Sequence, residues 1–365
     1  MTPPISRCSS ECRVSRRRPQ RLFHLRLGRS QTAPVCLLAT LLITYACSRD
    51  ANKPRVINAD AVVSPDDPNC YHSVQRAIDS APNHRVRPFV IHIKPEIYRE
   101  KLTVPSAKGP IHLVGDDAKR TVLTYDDHIH TPGPDGKDVN TFSSASTVIL
   151  ADGFEAEDVT FENSAGPDHD VAIAINVSAD RCVFRRCRFL GWQDTLLANR
   201  GRQYYEDCHI AGHVDFIFGA ATAWFERCEL NCRDGGAITA ASTPKEQPYG
   251  FIFSHCEITA KHSRGQMHRS TLLGRPWGRY ASVIYLKTKM ARIVAPAGWG
   301  DWNDASRRVT VRFAEYRSSG PRGQRSSRVA YAKQLDDSAA AAITPQNVFG
   351  DWDPTRQSAT FETSE

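Results

Sequence analysis

The sequence predicts an all-β solenoid, a single stack of coils built from parallel strands, and three observations predict it. An aromatic residue followed three positions later by Cys and five later by another apolar residue recurs as Phe184/Cys187/Phe189, Tyr205/Cys208/Ile210, Phe225/Cys228/Leu230 and Phe253/Cys256/Ile258. Successive cysteines of this series recur with a period of roughly 20–30 residues, at which each repeat adds one coil. Between the apolar residues stand Arg, Glu, Asp or His, the alternation of half-buried strands.

Of the chain's 47 basic and 40 acidic side chains, eight arginines and one glutamate lie in residues 1–46, which leaves 39 of each in 47–365. The formal charge of +7 therefore belongs to the leader, and no nucleic-acid footprint remains. The basic start is followed by an apolar run, Val35 to Ala46, too short to span a membrane but suited to a signal peptide. Ala46-Cys47 resembles a lipoprotein cleavage site, so residues 1–46 read as a signal peptide or lipoprotein signal, with Cys47 as the candidate lipid anchor. Export, to the medium or the cell envelope, is expected.

Residues 47–60 read as a polar linker, 61–355 as one domain and 356–365 as a disordered tail. Over 71–81, Val74, Ala77, Ile78 and Ala81 recur at helical spacing before Pro82, which predicts a short helix capping the N-terminal end of the stack. Strands are expected at 89–93, 111–114 and 121–125, then, after a polar loop at 126–142, at 147–150 and 158–161. Val159 precedes Cys187 by one such period and joins its ladder. A second loop at 259–271 precedes strands at 282–286 and 308–313, and Ala339–Ala342 suggests a C-terminal helix. Cysteines at equivalent rung positions fit a stacked core better than a disulfide framework.

Asp194 and Asp215 each place one carboxylate in an apolar setting, one repeat apart. In-register coils would make them rung neighbours, about 4.8 Å apart along the stack. Two carboxylates that close separate their pKa values, one becoming an acid and the other staying a nucleophile. His209 and His213 read as outward polar positions, and Phe218 should face away from Asp215 unless a bend re-aims it.

The strings Gly191-Trp192-Gln193-Asp194-Thr195-Leu196, Val214 to Gly219 and Leu273-Gly274-Arg275-Pro276-Trp277, with Asn163 to Pro167, Val177 to Arg181, Ile97 to Glu100 and Gly298-Trp299 plus Trp302, together resemble the pectinesterase (pectin methylesterase) family, of bacterial type. The resemblance spans roughly residues 56–355. It implies a right-handed parallel β-helix, hydrolysis of the methyl esters of homogalacturonan, methyl-esterified pectin as the polysaccharide partner, no cofactor or metal, and a monomer. It implies Asp215 as nucleophile, Asp194 as general acid/base, Gln193 as oxyanion donor and Arg275 as the partner of the nucleophile. Trp277, Trp192, Phe218 and Tyr204 are the expected sugar-binding residues.

The chain departs from the family at Val171, where the family has the Gln that opens the oxyanion hole. Asp170 is expected to face the other way, which predicts a weakened hole. A thioesterase or other acyl esterase on the same scaffold, and a catalytically poor pectin-binding protein, are the alternatives this departure leaves open. A smaller departure is Glu96, where the family has Gly.

Overall fold

A computed structural model describes residues 57–133, 136–260, 269–323 and 326–355. The leader, Cys47, most of the linker, the tail and much of the 259–271 loop lie outside the described residues. Three parallel sheets of eleven, eight and seven strands run the length of the body. A complete coil contributes one strand to each sheet, the eleven-stranded sheet extends beyond the other two at both ends, and strands pair with those one coil away. This is a right-handed parallel β-helix.

The aromatic-to-cysteine repeat is not one strand, as the alternation suggests. Phe184, Tyr205, Phe225 and Phe253 lie near the ends of strands of the eleven-stranded sheet. The cysteines sit in the turn that leads into the eight-stranded sheet. Between them Arg186, Asp207, Arg227 and His255 adopt φ of 51° to 53°, so a single left-handed residue per coil turns the corner. The thiols of Cys208, Cys228 and Cys256 then donate to the carbonyls of Phe184, Tyr205 and Phe225 one coil back. These cysteines are free thiols.

The rings stack along the axis. Phe184 to Tyr205, Tyr205 to Phe225, Phe225 to Phe253 and Phe253 to Tyr285 are 5.0, 4.6, 4.6 and 4.6 Å apart, all within 14° of parallel. That spacing is the strand separation of the sheet itself, so aromatic stacking and backbone pairing reinforce the same register.

The capping helix spans Val74–Ser80, with Ser73 as its N-cap accepting from the Arg76 amide. Its buried face, Val74, Ala77 and Ile78, closes the N-terminal end of the core. Expected strands at 89–93, 121–125 and 282–286 occur as read. The strand expected at 158–161 begins later, at Thr160, because Asp158 is itself a left-handed corner residue with φ 55°. At 308–313 the expectation fails: Ala305–Val309 is a 3-10 turn with Asp304 as N-cap, and the strand runs Arg312–Tyr316. Glu96, where the family has Gly, opens the strand Glu96–Arg99.

The C-terminal extension holds two short helices, Asp337–Ala341 and Pro345–Phe349, of which the sequence suggested only the first. Ala340 and Phe349 pack on the outer face of the eleven-stranded sheet against Val183, Tyr204, Trp224, Ile252 and Ile284. Truncating one ring of the axial stack, Phe225→Ala, is expected to cost about 3–5 kcal/mol. A lowered denaturation midpoint in urea checks it, and an unchanged midpoint would show that the stack adds little.

Candidate active site

Asp194 and Asp215 stand immediately before the strands Leu196–Arg200 and Ile217–Gly219 of the seven-stranded sheet. Leu196 pairs with Ile217, so two residues earlier the aspartates share one position on consecutive coils. Both are left-handed, with φ of 62° and 51°. Their backbones are fixed by amide donation from Asp194 to the Val214 carbonyl (3.0 Å) and from Asp215 to the Ala237 carbonyl (2.7 Å).

The same left-handed bend re-aims the strand that follows. Ile217 enters the core while Phe218 points outward with Leu197 and Ala240, so Phe218 is not on the face opposite the site, as regular alternation would place it. Beyond Phe218, Gly219 has φ 121°, and a Cβ there would collide with the Ala198 carbonyl oxygen. Only glycine lets this strand close on its neighbour.

The outward ladder of this sheet runs Leu197, Phe218, Ala240, Arg275. It ends on a guanidinium that reaches back to the nearer acid. Arg275 donates from Nε to Asp215 Oδ1 at 2.8 Å and from Nη2 to Oδ2 at 2.7 Å, a two-pronged ion pair. Its guanidinium carbon lies 4.1 Å from the centre of the Trp302 ring. Trp302 is thus a support of the site that the sequence tied only to a family string. It arrives on the segment that follows Trp299, which bridges to Gly274 beside Arg275, so the contact is made between separate coils and leaves no local signal.

Asp194 and Asp215 are 9% and 5% exposed, which decides their electrostatics. Burial, then the field of Asp215, against a weaker opposing effect of Arg275, pushes the Asp194 carboxyl up to about 8. Asp215 is also raised: burial outweighs the hydrogen bonds and charge of Arg275 that pull it down. A paired guanidinium by itself would depress the Asp215 carboxyl, and desolvation reverses that sign here. The ordering still holds, since Arg275 bonds Asp215 directly and reaches Asp194 only through space.

Gln193 is half-buried, and its side-chain amide has no protein partner among the described residues. Val171 packs against the floor formed by Ala145, Ile173, Leu197, Phe218 and Ala240, so an apolar side chain occupies the place where an amide was expected. Asp170 is exposed. Trp277 is 42% exposed and lies 5.9 Å from Phe218. Phe218, 3% exposed, supports Trp277 from below rather than offering a face of its own. Trp192 is half-buried beside Gln193.

Tyr204 is not in this groove. It is 2% exposed and packs with Trp224 under the C-terminal helices on the eleven-stranded sheet, so its assignment to the sugar-binding set is corrected. Strand alternation put Tyr204 opposite the core residue Tyr205, but it could not say which sheet's outer face lines the groove. Among the described residues no helix is long and apolar enough to cross a membrane.

A family profile described as pectinesterase matches residues 60–351. Pectinesterase 31 of Arabidopsis thaliana is 41% identical over 283 residues, covering 76% of this chain and 88% of the relative. A pectin methylesterase from carrot superposes with a TM-score of 0.76 at 31% identity, over 82% of this chain and 96% of that one. One from Erwinia chrysanthemi gives 0.72 at 30%, over 82% and 99%. A pectin methylesterase in complex with a hexasaccharide gives 0.73 at 30%, over 83% and 100%. With two stacked aspartates and a paired arginine in place, and a profile that spans nearly all of the described body, this chain belongs to the pectinesterase family.

Proposed function

We propose that this protein hydrolyses the methyl esters of pectin, releasing methanol and leaving pectate, by covalent catalysis on Asp215. The observation that carries this reading is the pairing of one buried acid, its carboxyl pushed up to about 8, with a second, one coil away, whose two oxygens accept from Arg275. The family match and the oligosaccharide-bound relative support the substrate class.

In the first half-reaction an Asp215 oxygen attacks the ester carbonyl carbon, and the carbonyl oxygen becomes a tetrahedral oxyanion. The Gln193 amide, free of protein partners, donates to that oxygen. Collapse breaks the bond to methoxide, Asp194 supplies its proton, and methanol leaves behind a mixed anhydride on Asp215. In the second half, Asp194, now a carboxylate, takes a proton from water, which attacks the anhydride carbonyl and restores Asp215. Arg275 keeps Asp215 oriented throughout, and Trp302 beneath it limits the guanidinium to that geometry.

Trp277 offers the exposed aromatic face on which a sugar ring can stack. Trp192 stands at the opposite side of the acid pair in chain order, next to Gln193. The substrate is a polymer outside the cell, so we also propose export by the 1–46 leader.

Three outcomes test this. Asp215→Asn abolishes methanol release from esterified pectin. Asn removes the nucleophilic carboxylate but keeps its volume and a carbonyl acceptor for Arg275, whereas Ala would leave the guanidinium with neither. Methanol release at normal rate from the Asn variant would sink the mechanism. Val171→Gln adds an amide at the apolar edge of the hole and raises kcat by roughly 10-fold to 100-fold; an unchanged or lower kcat would show that a second donor is already supplied. Because Asp194 must start protonated and its carboxyl is held at about 8, kcat/KM falls as pH rises through that value. A profile flat to pH 10 would remove Asp194 from the role of acid.

A further inference from the structure

The aromatic column on the axis ends on a charge. Phe184, Tyr205, Phe225, Phe253 and Tyr285 share one register position on consecutive coils, and the residue that pairs with Tyr285 on the next coil is Glu315. Glu315 lies on the strand Arg312–Tyr316 and is buried. An apolar residue of similar volume is often the more stable choice at such a place, even when the acid is paired. Where a repeat is broken in this way, the exception marks a functional or strained position.

The carboxylate is held by Arg328, which donates from Nε to Oε1 at 2.8 Å and from Nη2 to Oε2 at 3.2 Å. The Ser318 hydroxyl donates to Oε2 at 3.3 Å. The Arg328 side chain is only 4% exposed, and it also donates to the carbonyls of Pro296 and Arg322 at 2.9 and 2.7 Å. The remaining donor is the Trp299 indole, from Nε1 to Glu315 Oε1 at 3.1 Å. The Trp299 ring stacks on Phe313 at 4.4 Å and lies 5.7 Å from Tyr285, so packing buries it and the bond to Glu315 fixes which way it points.

From Trp299 the contacts lead to the acid pair. The Leu273 amide donates to the Gly298 carbonyl at 2.6 Å and the Gly300 amide to the Gly274 carbonyl at 3.0 Å, which lays this segment along the strand Thr271–Pro276 that carries Arg275. Gly298 has φ 75°, and a Cβ there would come within 2.6 Å of Arg328 Cδ, so the segment rests on the stem of that arginine. Three residues past Trp299, the Trp302 ring lies 4.1 Å from the Arg275 guanidinium carbon, and Arg275 bonds Asp215.

We infer that Glu315, with Arg328, is a positioning residue for ester cleavage: it anchors Trp299 so that Trp302 meets Arg275 and the guanidinium keeps both prongs on Asp215. The inference rests on the esterase reading and extends it to a buried cluster at the C-terminal end of the stack. A sixth ring there would serve the core as well, but it could not accept the indole N–H.

The test measures methanol release from methyl-esterified pectin by two variants of the full chain. Trp299→Phe deletes the donor to Glu315 and keeps a ring against Phe313, whereas Glu315→Gln deletes the charge shared with Arg328. Each is expected to lower kcat by about 10-fold to 100-fold, the effect of a small misplacement at the reacting centre, and to move the acidic limb of kcat/KM to higher pH. Burial raises the Asp215 carboxyl and Arg275 pulls it back down, so a guanidinium that slips lets it rise further, and Asp215 must be ionised to attack. The other charged groups that act on the pair, His213 and Asp194, are untouched by these changes. Phe225→Ala, which weakens the same column, is expected to lower stability and leave the limb in place. In a Trp302→Ala background, Trp299→Phe is expected to add little, because the ring it acts through is gone. If Glu315→Gln leaves Arg328 without its anion and does not fold, Trp299→Phe, which keeps the ion pair, decides alone. An unmoved limb or unchanged kcat in Trp299→Phe, the same shift in Phe225→Ala, or a full Trp299→Phe effect without Trp302 would overturn the inference. No methanol from the unaltered protein would instead overturn the esterase reading on which it stands.

Discussion

The register of one coil on the next is the constraint on which everything else in this molecule rests. Parallel strands hold neighbouring coils about 4.8 Å apart, and the axial rings repeat at nearly that distance. A residue's chemistry is therefore coupled most strongly to whatever occupies the same position one coil away. Asp194 and Asp215 exploit that coupling, since each sits in a left-handed corner before its strand and neither can shift without breaking the ladder behind it. Two carboxylates that a flexible loop would let drift apart are kept in each other's field.

Given that enforced proximity, burial and a single guanidinium divide the labour. Desolvation raises both acids, and Arg275 is committed by direct bonds to one of them. The asymmetry is positional: the outward ladder that ends on Arg275 passes through Phe218 and Ala240, which brings the guanidinium to the later coil's acid. The acid without a bonded cation is pushed up to about 8, and the paired one is held by two hydrogen bonds from the guanidinium. The apolar floor of Ile173, Leu197 and Phe218, with Val171 against it, supplies the low-dielectric side of the arrangement. Val171 extends that floor with an apolar side chain where the family resemblance implies an amide.

What the amino-acid sequence determined is the part of the structure that repeats or that rests on local chemistry. The cysteine and aromatic period set the coil length, the one-repeat separation of the aspartates made them neighbours, and the capping helix was legible from Val74, Ala77 and Ile78 with Pro82 behind them. The family strings added Arg275 and Trp277, which no periodicity would have linked to Asp215 on an earlier coil. Tertiary structure alone decided which outer face forms the groove. It sent Tyr204 under the C-terminal helices, turned Phe218 outward through the left-handed bend at Asp215, laid Trp302 under Arg275, and raised rather than lowered the Asp215 carboxyl. The reason is that a period tells which residues share a position along the stack. Which sheet a face belongs to, how far a long side chain reaches across coils, and how much water an acid loses are set by contacts between segments far apart in the chain.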